Sequence, residues 1–208
     1  MMQILVGRAS NAIMPTAVID GMHALRYQVF RERLQWDIPA ADDRERDLFD
    51  DYDPVFVLAR DVGTVVGCCR LLPTTGPYML KDTFPQLLGG EAAPVDEAVW
   101  EISRFAVEKD ARSGFGFTTI PTTIIRELVR FALGNEIMSY VFVTTTAFER
   151  LLRRMGVHLE RFSSPMQIGI ERSVALWMHI DAATIGAMGL GAGNDPIALA
   201  EPLALEAA

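Results

Sequence analysis

Cysteine and histidine are scarce in this sequence. Its 208 residues include two cysteines, which are neighbours at Cys68 and Cys69, and three scattered histidines without ligand spacing. Adjacent residues on a strand point to opposite faces, so this pair predicts neither a disulfide framework nor a metal site. We therefore expect a cytoplasmic protein with reduced thiols and no bound metal.

Positive charge and long apolar runs are also in short supply. The 19 basic residues face 27 acidic ones, giving a formal net charge of −8. This balance argues against a general nucleic-acid binder or an anionic-membrane binder. No apolar run is long enough to span a bilayer, and residues 1–8 lack the layout of a signal peptide. We expect no nucleic-acid partner and no membrane insertion.

Several familiar motifs are missing as well. The chain has no Gly-x-Ser-x-Gly elbow, no Walker phosphate loop and no dinucleotide fingerprint. Their absence leaves serine-nucleophile catalysis poorly supported and gives no sign of a nucleoside-triphosphate or dinucleotide site.

What is present predicts a single α/β domain with a sizeable core, because half of the residues are hydrophobic. Strands and helices alternate, with a hairpin in the first half, which predicts a mixed sheet covered by helices on both sides. The strand–helix–strand passage over 99–145 predicts a parallel, right-handed crossover. We place the domain at 1–185 and an Ala/Gly-rich C-terminal tail at 186–208. The predicted strands are 3–6, 55–60, 64–72, 99–105, 138–145 and 167–170, and the predicted helices 16–33, 118–133 and 147–154, with 81–88 a helix or turn and 174–180 either helical or extended.

The stretch Val99–Phe105 carries charge where a strand should be apolar. Glu101 and Arg104 need partners, because burying an unpaired charge costs several kcal/mol. In a regular strand Glu101, Ser103 and Phe105 would share one face and Arg104 the other. A β-bulge would bring acid and base together, and bulges collect beside active sites. An edge strand with solvated charges is the alternative.

Four further clusters could carry chemistry. Leu25–Phe30 with Trp36 sets an arginine among aromatic rings; Glu45, Asp47 and Asp50 form an acidic group; Arg70 interrupts an apolar strand; and the glycine-rich stretch 112–116 precedes a helix. Taken singly, each has an ordinary alternative, namely an amphipathic helix, a solvated loop or a plain turn. Arg70 needs an acidic partner, which the acidic group could supply.

Taken together and in order, these stretches resemble the acyl-homoserine-lactone synthases, the LuxI-type autoinducer synthases of bacterial quorum sensing. The resemblance runs from about Met22 to Arg172. It rests on Leu25-Arg-Tyr-Gln-Val-Phe30, Trp36, Glu45-Arg-Asp-Leu-Phe-Asp50, Gly67-Cys-Cys-Arg-Leu-Leu-Pro73, Tyr78-Met-Leu-Lys-Asp-Thr-Phe84 and Trp100-Glu-Ile-Ser-Arg-Phe105.

The resemblance implies an acetyltransferase-like (GNAT-type) fold and two substrates. These are S-adenosylmethionine and a fatty acyl thioester, carried by acyl carrier protein or by coenzyme A. The amine of S-adenosylmethionine would attack the thioester carbonyl, and its carboxylate would then displace methylthioadenosine and close the lactone. S-adenosylmethionine is thus expected as a substrate, and no cofactor is expected.

The resemblance also implies roles for residues at matching positions. Glu101 is expected to be the base that deprotonates the amine, with Arg70, Ser103 and Arg104 in the same catalytic group. A strand amide near 104–106 would stabilise the developing oxyanion. Binding of S-adenosylmethionine, or the ion-pair network that shapes its pocket, is expected of Arg26, Phe30, Trp36, Glu45, Asp47 and Asp50.

Two further sets follow from the same resemblance. The acyl chain is expected between the central strands and the following helix, against Met79, Phe84, Phe105, Phe117, Ile124, Leu128, Phe142 and Leu152, although ordinary core is the alternative for each. Phe142 stands where some makers of 3-oxo-acyl products carry threonine, which favours an unsubstituted chain. An acidic carrier protein needs a local basic patch, for which the candidates are Arg126, Arg130, Arg150, Arg153 and Arg154.

Two alternative functions remain open from the sequence. One is a GNAT-type N-acyltransferase with another amine acceptor. The other is a non-catalytic module that binds S-adenosylmethionine.

Overall fold

The structure is a computed structural model that describes residues 2–11, 14–108 and 119–191. Ten strands and five α-helices are described within these ranges, together with one π-helical and two 3₁₀ segments. The strands are β1 (Gln3–Arg8), β2 (Ala40–Ala41), β3 (Arg44–Glu45), β4 (Val55–Asp61), β5 (Thr64–Pro73), β6 (Val99–Val107), β7 (Ser139–Thr145), β8 (Leu159–Arg161), β9 (Met166–Ile168) and β10 (Glu171–His179). The helices are α1 (Thr16–Arg26), α2 (Met79–Asp82), α3 (Thr119–Gly134), α4 (Thr146–Arg154) and α5 (Ala182–Ala187).

Eight strands form one mixed sheet. Seven of them follow the order β1-β4-β5-β6-β7-β10-β8, and β9 pairs with β10 beside β8. Neighbours are antiparallel except for β6 and β7, which are parallel. Helix α3 follows β6 in sequence and leads towards β7, as a parallel connection requires. The short hairpin of β2 and β3 forms a separate two-stranded sheet.

The sheet has a different partner on each face. Alternate residues of the central strands, such as Leu71, Trp100 and Tyr140, pack under α3 in the largest apolar cluster. On the other face, α1 covers the β4–β5 end and the segment around α2 covers the β7–β10 end, each over its own apolar cluster. The polar site described below lies on this second face.

Most predicted elements are confirmed, with three differences. The helix expected over 16–33 is α-helical only to Arg26 and continues as a π-helical segment over Tyr27–Arg33. The segment 174–180, left undecided between helix and strand, lies largely in strand β10. The short elements β2, β3, β8 and α5 were not predicted, because two to six residues are too few to show a period.

The folded body continues past the boundary expected at residue 185. Helix α5 spans it, and Met188 is buried in the large apolar cluster under α3 and α4. The remainder of the expected tail, residues 192–208, lies outside the described residues. Among the residues that are described, no helix combines the length and apolar character needed to cross a membrane.

Candidate active site

Three arginines and three carboxylates form one buried cluster on the α1 side of the sheet. Arg26 ends α1, Arg70 lies in the middle of β5, and Arg104 lies in β6. The acids come from one short stretch of chain, with Glu45 on β3 and Asp47 and Asp50 at the start of the 3₁₀ turn Leu48–Tyr52. All six were predicted for the site, and the structure brings all six together.

Arg26 is held from two sides. Its Nε donates to the Glu45 carboxylate, and its Nη1 and Nη2 donate to the two oxygens of Asp50 at 2.8 and 2.9 Å. The paired Nη contacts are the bidentate geometry that makes arginine–carboxylate pairs directional. The Arg26 side chain has no exposed surface, so these bonds replace its water shell completely.

Arg70 contacts the two aspartates from strand β5 of the sheet. Its Nη1 donates to Asp47 and, at 2.9 Å, to Asp50, and its Nε donates to the Ser103 hydroxyl at 3.1 Å. Both aspartate side chains are held by the backbone of this turn, because Asp47 accepts from the Phe49 N–H and Asp50 accepts from the Asp47 N–H. This reciprocal capping box fixes both carboxylates before any ligand arrives.

A β-bulge places Arg104 in the same cluster. Between the pairs Cys68–Ala106 and Arg70–Ser103, two residues of β6 lie opposite the single residue Cys69 of β5. Arg104 is the bulged residue and has a positive φ of 52°. The bulge turns Arg104 to the face of Ser103 and moves Phe105 to the face packed under α3. The regular strand considered from the sequence would have done the reverse.

From this position Arg104 links the acids to the aromatic residues. Its Nε donates to Glu45 at 3.0 Å, its Nη2 lies 2.6 Å from Asp47, and its guanidinium sits 5.6 Å from the centre of the Phe30 ring. Phe30 is stacked on Trp36, with ring centres 5.0 Å apart. The π-helical segment supplies Phe30, and such segments often occur at functional sites.

The formal charges of the three arginines and three carboxylates sum to zero. The opposite charges shift the pKa values of Arg26 and Asp50. Burial alone would raise the pKa of Asp50, but hydrogen bonds and attraction from Arg26, with attraction from Arg70, lower it well below its usual range. Burial alone would lower the pKa of Arg26, and its bonds to Asp50 and Glu45 raise it instead. Arg26 and Asp50 therefore stay charged at neutral pH.

Glu101 lies beside the charged cluster but is not one of its six residues. It is 1 % exposed, and its two oxygens accept from the backbone N–H groups of Met79 and Leu80 at 3.0 and 2.6 Å. Burial raises its pKa to about 7, and the two amide bonds and Arg70 oppose that rise only in part. A carboxylate with this pKa can gain or lose a proton near neutral pH, as a general base must.

The parallel strands β6 and β7 separate next to Glu101. Their pairing covers Val99–Ser139, Trp100–Tyr140 and Glu101–Val141, although the strands continue to Val107 and Thr145. Beyond Glu101 the facing edges are not paired with each other. Backbone N–H and C=O groups at such an edge are available to hydrogen-bond an extended ligand.

The residues predicted for the acyl chain fall into two groups. Phe105, Ile124, Leu128, Phe142 and Leu152 lie in or against the apolar cluster under α3, on the face that was expected. Met79 and Phe84 pack on the opposite face, around α2. The sheet separates these groups, so the structure does not gather them into one wall. Phe117 lies outside the described residues, as does the glycine-rich stretch 112–116.

The five arginines proposed for carrier docking are distributed over two helices. Arg150, Arg153 and Arg154 are exposed on α4, whereas Arg126 and Arg130 are half-buried on α3. Arg153 is held by the buried Glu149 at 2.9 Å, which Arg161 also contacts, and Arg130 contacts Glu127. Among the described residues, Arg150 and Arg154 are the two α4 arginines for which no ion pair is found.

One contributor to the site was not predicted, and one predicted residue has a different contact. His23 donates to the backbone of Glu45. Met79, which was expected in the acyl pocket, has its sulfur 3.3 Å from Arg104. His23 precedes Arg26 by three residues on a helix, a spacing that places both on one face and could have indicated it. Within the described ranges, no group of three or more His, Cys, Asp or Glu side chains is arranged to hold a metal ion.

The fold and the site together define a GNAT-like class of protein. The described chain resembles a Lactobacillus plantarum protein described as an N-acetyltransferase, with a TM-score of 0.59 at 16 % identity over 86 % of this chain and 99 % of the other. At that identity the likeness concerns the fold. It confirms the expected mixed sheet flanked by helices.

Closer relatives define the family. An autoinducer synthase family model matches residues 10–188, and the chain is 43 % identical to an acyl-homoserine-lactone synthase of Pseudomonas aeruginosa, over 80 % of this chain and 85 % of the relative. The crystal structure of the AHL synthase LasI matches with a TM-score of 0.87 at 39 % identity, over 94 and 98 % of the two chains. The chain belongs to the autoinducer synthase family.

One solved relative was captured with ligands. The CoA-dependent acyl-homoserine lactone synthase BjaI, in a structure with S-adenosylmethionine and isopentyl-CoA, matches with a TM-score of 0.81 at 27 % identity, over 90 % of this chain and 88 % of that one.

Proposed function

We propose that this protein is an acyl-homoserine-lactone synthase. It transfers an acyl group from a thioester to the amine of S-adenosylmethionine, and the methionyl carboxylate then displaces methylthioadenosine to close the lactone. The observation that carries the proposal is the convergence of all six predicted charged residues, with Phe30 and Trp36, beside a Glu101 whose pKa is about 7.

The charged cluster and the aromatic pair suit S-adenosylmethionine. This substrate carries a sulfonium cation and a carboxylate, so its site needs both signs of charge and a flat apolar surface. Arginines fixed by buried carboxylates can bind the methionyl carboxylate without reorganising. The stacked Phe30 and Trp36 offer a ring face to the sulfonium or to the adenine.

Glu101 acts as the base in this proposal, directly or through a water. The ammonium of bound S-adenosylmethionine must lose a proton before its nitrogen can attack the thioester carbonyl. Each oxygen of Glu101 accepts one backbone N–H and keeps a second lone pair for that proton. The amine nitrogen then forms the amide bond as the thiol of the carrier leaves.

The acyl thioester lies in the opening between β6 and β7. The unpaired strand edges beyond Glu101 can bond the amides of a pantetheine arm, which is common to acyl carrier protein and coenzyme A. A bulge also leaves backbone groups outside the ladder. A strand amide near 104–106 is therefore our candidate donor to the thioester oxygen.

The remaining assignments follow from this chemistry. S-adenosylmethionine is consumed as a substrate, and we propose no separate cofactor. Both substrates are cytoplasmic metabolites, and both cysteines are free and buried, so we propose a cytoplasmic enzyme. Residues 1–185 carry the reaction, with α5 extending that body.

The test is to incubate the purified protein with S-adenosylmethionine and a panel of acyl carrier protein and CoA thioesters. Methylthioadenosine release and a lactone identified by mass spectrometry are expected with at least one donor. Arg70→Ala, which removes the cation held by Asp47 and Asp50, should cut turnover at least 100-fold while the protein stays folded. Binding of S-adenosylmethionine without turnover would contradict the proposal, and an amide formed on an added amine other than S-adenosylmethionine, without methylthioadenosine, would assign another acceptor.

A further inference from the structure

His23 is a buried histidine that was not predicted for the site. It contacts the short β2–β3 hairpin, which carries Glu45. His23 lies on α1, is 8 % exposed, and its Nδ1 is 2.7 Å from the backbone carbonyl of Glu45. A carbonyl only accepts, so Nδ1 carries the proton in this contact. Burial, followed by repulsion from Arg26, lowers the pKa of His23, so the ring is neutral at pH 7 with its proton on Nδ1.

The hairpin that carries Glu45 has little support of its own. Strands β2 and β3 pair over only two residues each and do not join the main sheet. The turn between them places Asp42 and Asp43 at φ values of 50° and 56°, a region that costs a non-glycine residue of the order of 1 kcal/mol. An isolated hairpin of this size is not stable in water.

Helix α1 therefore holds the hairpin through Glu45. His23 bonds the main chain of Glu45, and Arg26, one helical turn later, bonds its side chain. Two bonds from one helix face fix both the position and the direction of the carboxylate. An additional contact between Arg44 and Asp20 is long, at 3.9 Å, and exposed, so it contributes little.

We propose that His23 is a positioning residue for the S-adenosylmethionine site: by holding the Glu45 backbone it aims the Glu45 carboxylate at Arg104. Glu45 Oε1 lies 3.0 Å from Arg104 Nε, and Arg104 in turn faces Phe30. The inference rests on the proposed function for its kinetic consequence, although the geometry it describes exists without substrate.

Two substitutions separate this role from simple packing. His23→Leu keeps an apolar side chain but has no donor, whereas His23→Asn places an amide N–H where Nδ1 was. If the hydrogen bond positions Glu45, His23→Leu should raise KM for S-adenosylmethionine five- to tenfold, the size of one lost hydrogen bond. His23→Asn should stay within about twofold of the wild type, and KM for the acyl thioester should change little in either variant.

A readout without substrate gives an independent answer. The Nε–H signals of buried arginines in ¹H–¹⁵N NMR spectra report their hydrogen bonds. His23→Leu should shift or broaden the Arg104 signal, with the Arg70 signal, whose Nε bonds Ser103, unchanged. Tyr140→Phe is the matched control, because it removes a buried side-chain bond to the Leu128 carbonyl on the other face of the sheet and should leave both signals and both KM values unchanged.

The outcomes separate cleanly. Wild-type KM and an unmoved Arg104 signal in His23→Leu would overturn the inference, as would an Asn variant that is impaired as much as the Leu variant. If His23→Leu does not fold, a shifted Arg104 signal in His23→Asn overturns it. Failure of the wild type to release methylthioadenosine refutes the proposed function alone, because the NMR comparison still tests whether His23 positions Glu45.

Discussion

Arg26 and Arg70 carry full charges at positions with no access to water, and they share Asp50 as a partner. A buried pair of this kind gives little net stability compared with apolar residues of the same shape, but loss of one member leaves the other charge uncompensated. The cluster is therefore better explained by the charged substrate that it has to receive than by the stability of the fold.

Two neighbouring aspartates test this explanation. Asp50→Asn removes a charge that faces two buried arginines, so we expect the free energy of unfolding to fall by about 3–5 kcal/mol. Asp51→Asn is the matched control, since Asp51 is about half exposed and pairs with the exposed Arg46; a change within about 0.5 kcal/mol is expected. Urea unfolding measures both, and equal losses would show that burial of Asp50 is irrelevant.

Glu101 predicts a pH dependence of stability. Its pKa is about 7 in the folded protein and near 4.5 when unfolded, so between these values the folded state binds the additional proton. Stability from this group is full below about pH 4.5 and is lost as pH rises through 7. Glu101→Gln should flatten that fall, which is on the order of 3 kcal/mol for a shift of this size.

The same variant should lose the base. Turnover of Glu101→Gln is expected to drop at least 100-fold, while binding of S-adenosylmethionine persists. Thermal unfolding between pH 5 and 8 and methylthioadenosine release provide the two measurements. An unaltered stability profile would show that the Glu101 pKa is not raised by burial.

At the scale of elements, strand β6 is organised by its bulge. Before the bulge, Glu101 and Ser103 face the site and Trp100 and Ile102 face α3; after it, Phe105 faces α3. The additional residue therefore puts two consecutive side chains, Ser103 and Arg104, on the site face. Its positive φ at Arg104 is backbone strain stored at a functional position.

Helix α3 packs closely on the sheet at Gly67. A Cβ atom there would lie 2.7 Å from the end of Ile124 and 2.8 Å from Ile120. Gly67→Ala should therefore destabilise the protein by about 1–3 kcal/mol, as overpacking does. Ile124→Val removes one of the two contacts, so the double variant should recover part of the loss. Denaturant unfolding of the four proteins in the cycle checks this, and strict additivity would contradict it.

At the scale of the whole molecule, the net charge of −8 opposes docking of an acidic carrier protein. Arg150, Arg153 and Arg154 are all exposed on α4, but Arg153 is held by Glu149. Docking would therefore depend on a small local patch, which acts mainly through long-range attraction and is weakened by salt.

Reversing the charges of Arg150 and Arg154 tests whether acyl carrier protein docks on α4. Arg150→Glu with Arg154→Glu should raise KM for an acyl carrier protein thioester at least tenfold at low salt and less at high salt, with KM for S-adenosylmethionine unchanged. An acyl-CoA donor, which brings no acidic protein to this patch, should be affected less. If the wild type and the double variant have equal KM values for the carrier-protein thioester, α4 is excluded as the docking surface.

The order of most elements, the family and the charged residues of the cluster could be predicted from the sequence alone. The periodicity of apolar residues predicts the strands and helices. Ionic residues inside apolar runs, such as Arg70 and Glu101, are recognisable as site candidates because burying a charge without a partner is costly. The acyl-chain and carrier-docking assignments remain predictions.

How these residues meet could not be predicted, because it depends on the folded chain. The bulge that turns Arg104 towards Glu45, the π-helical segment that presents Phe30 and the bond from His23 to the Glu45 backbone all depend on contacts between distant parts of the chain. Met79 and Phe84 were likewise expected beside Phe105 and lie across the sheet from it. A sequence pattern records which side chains avoid water, whereas the face on which each one lies depends on register, and one additional residue in a strand reverses it.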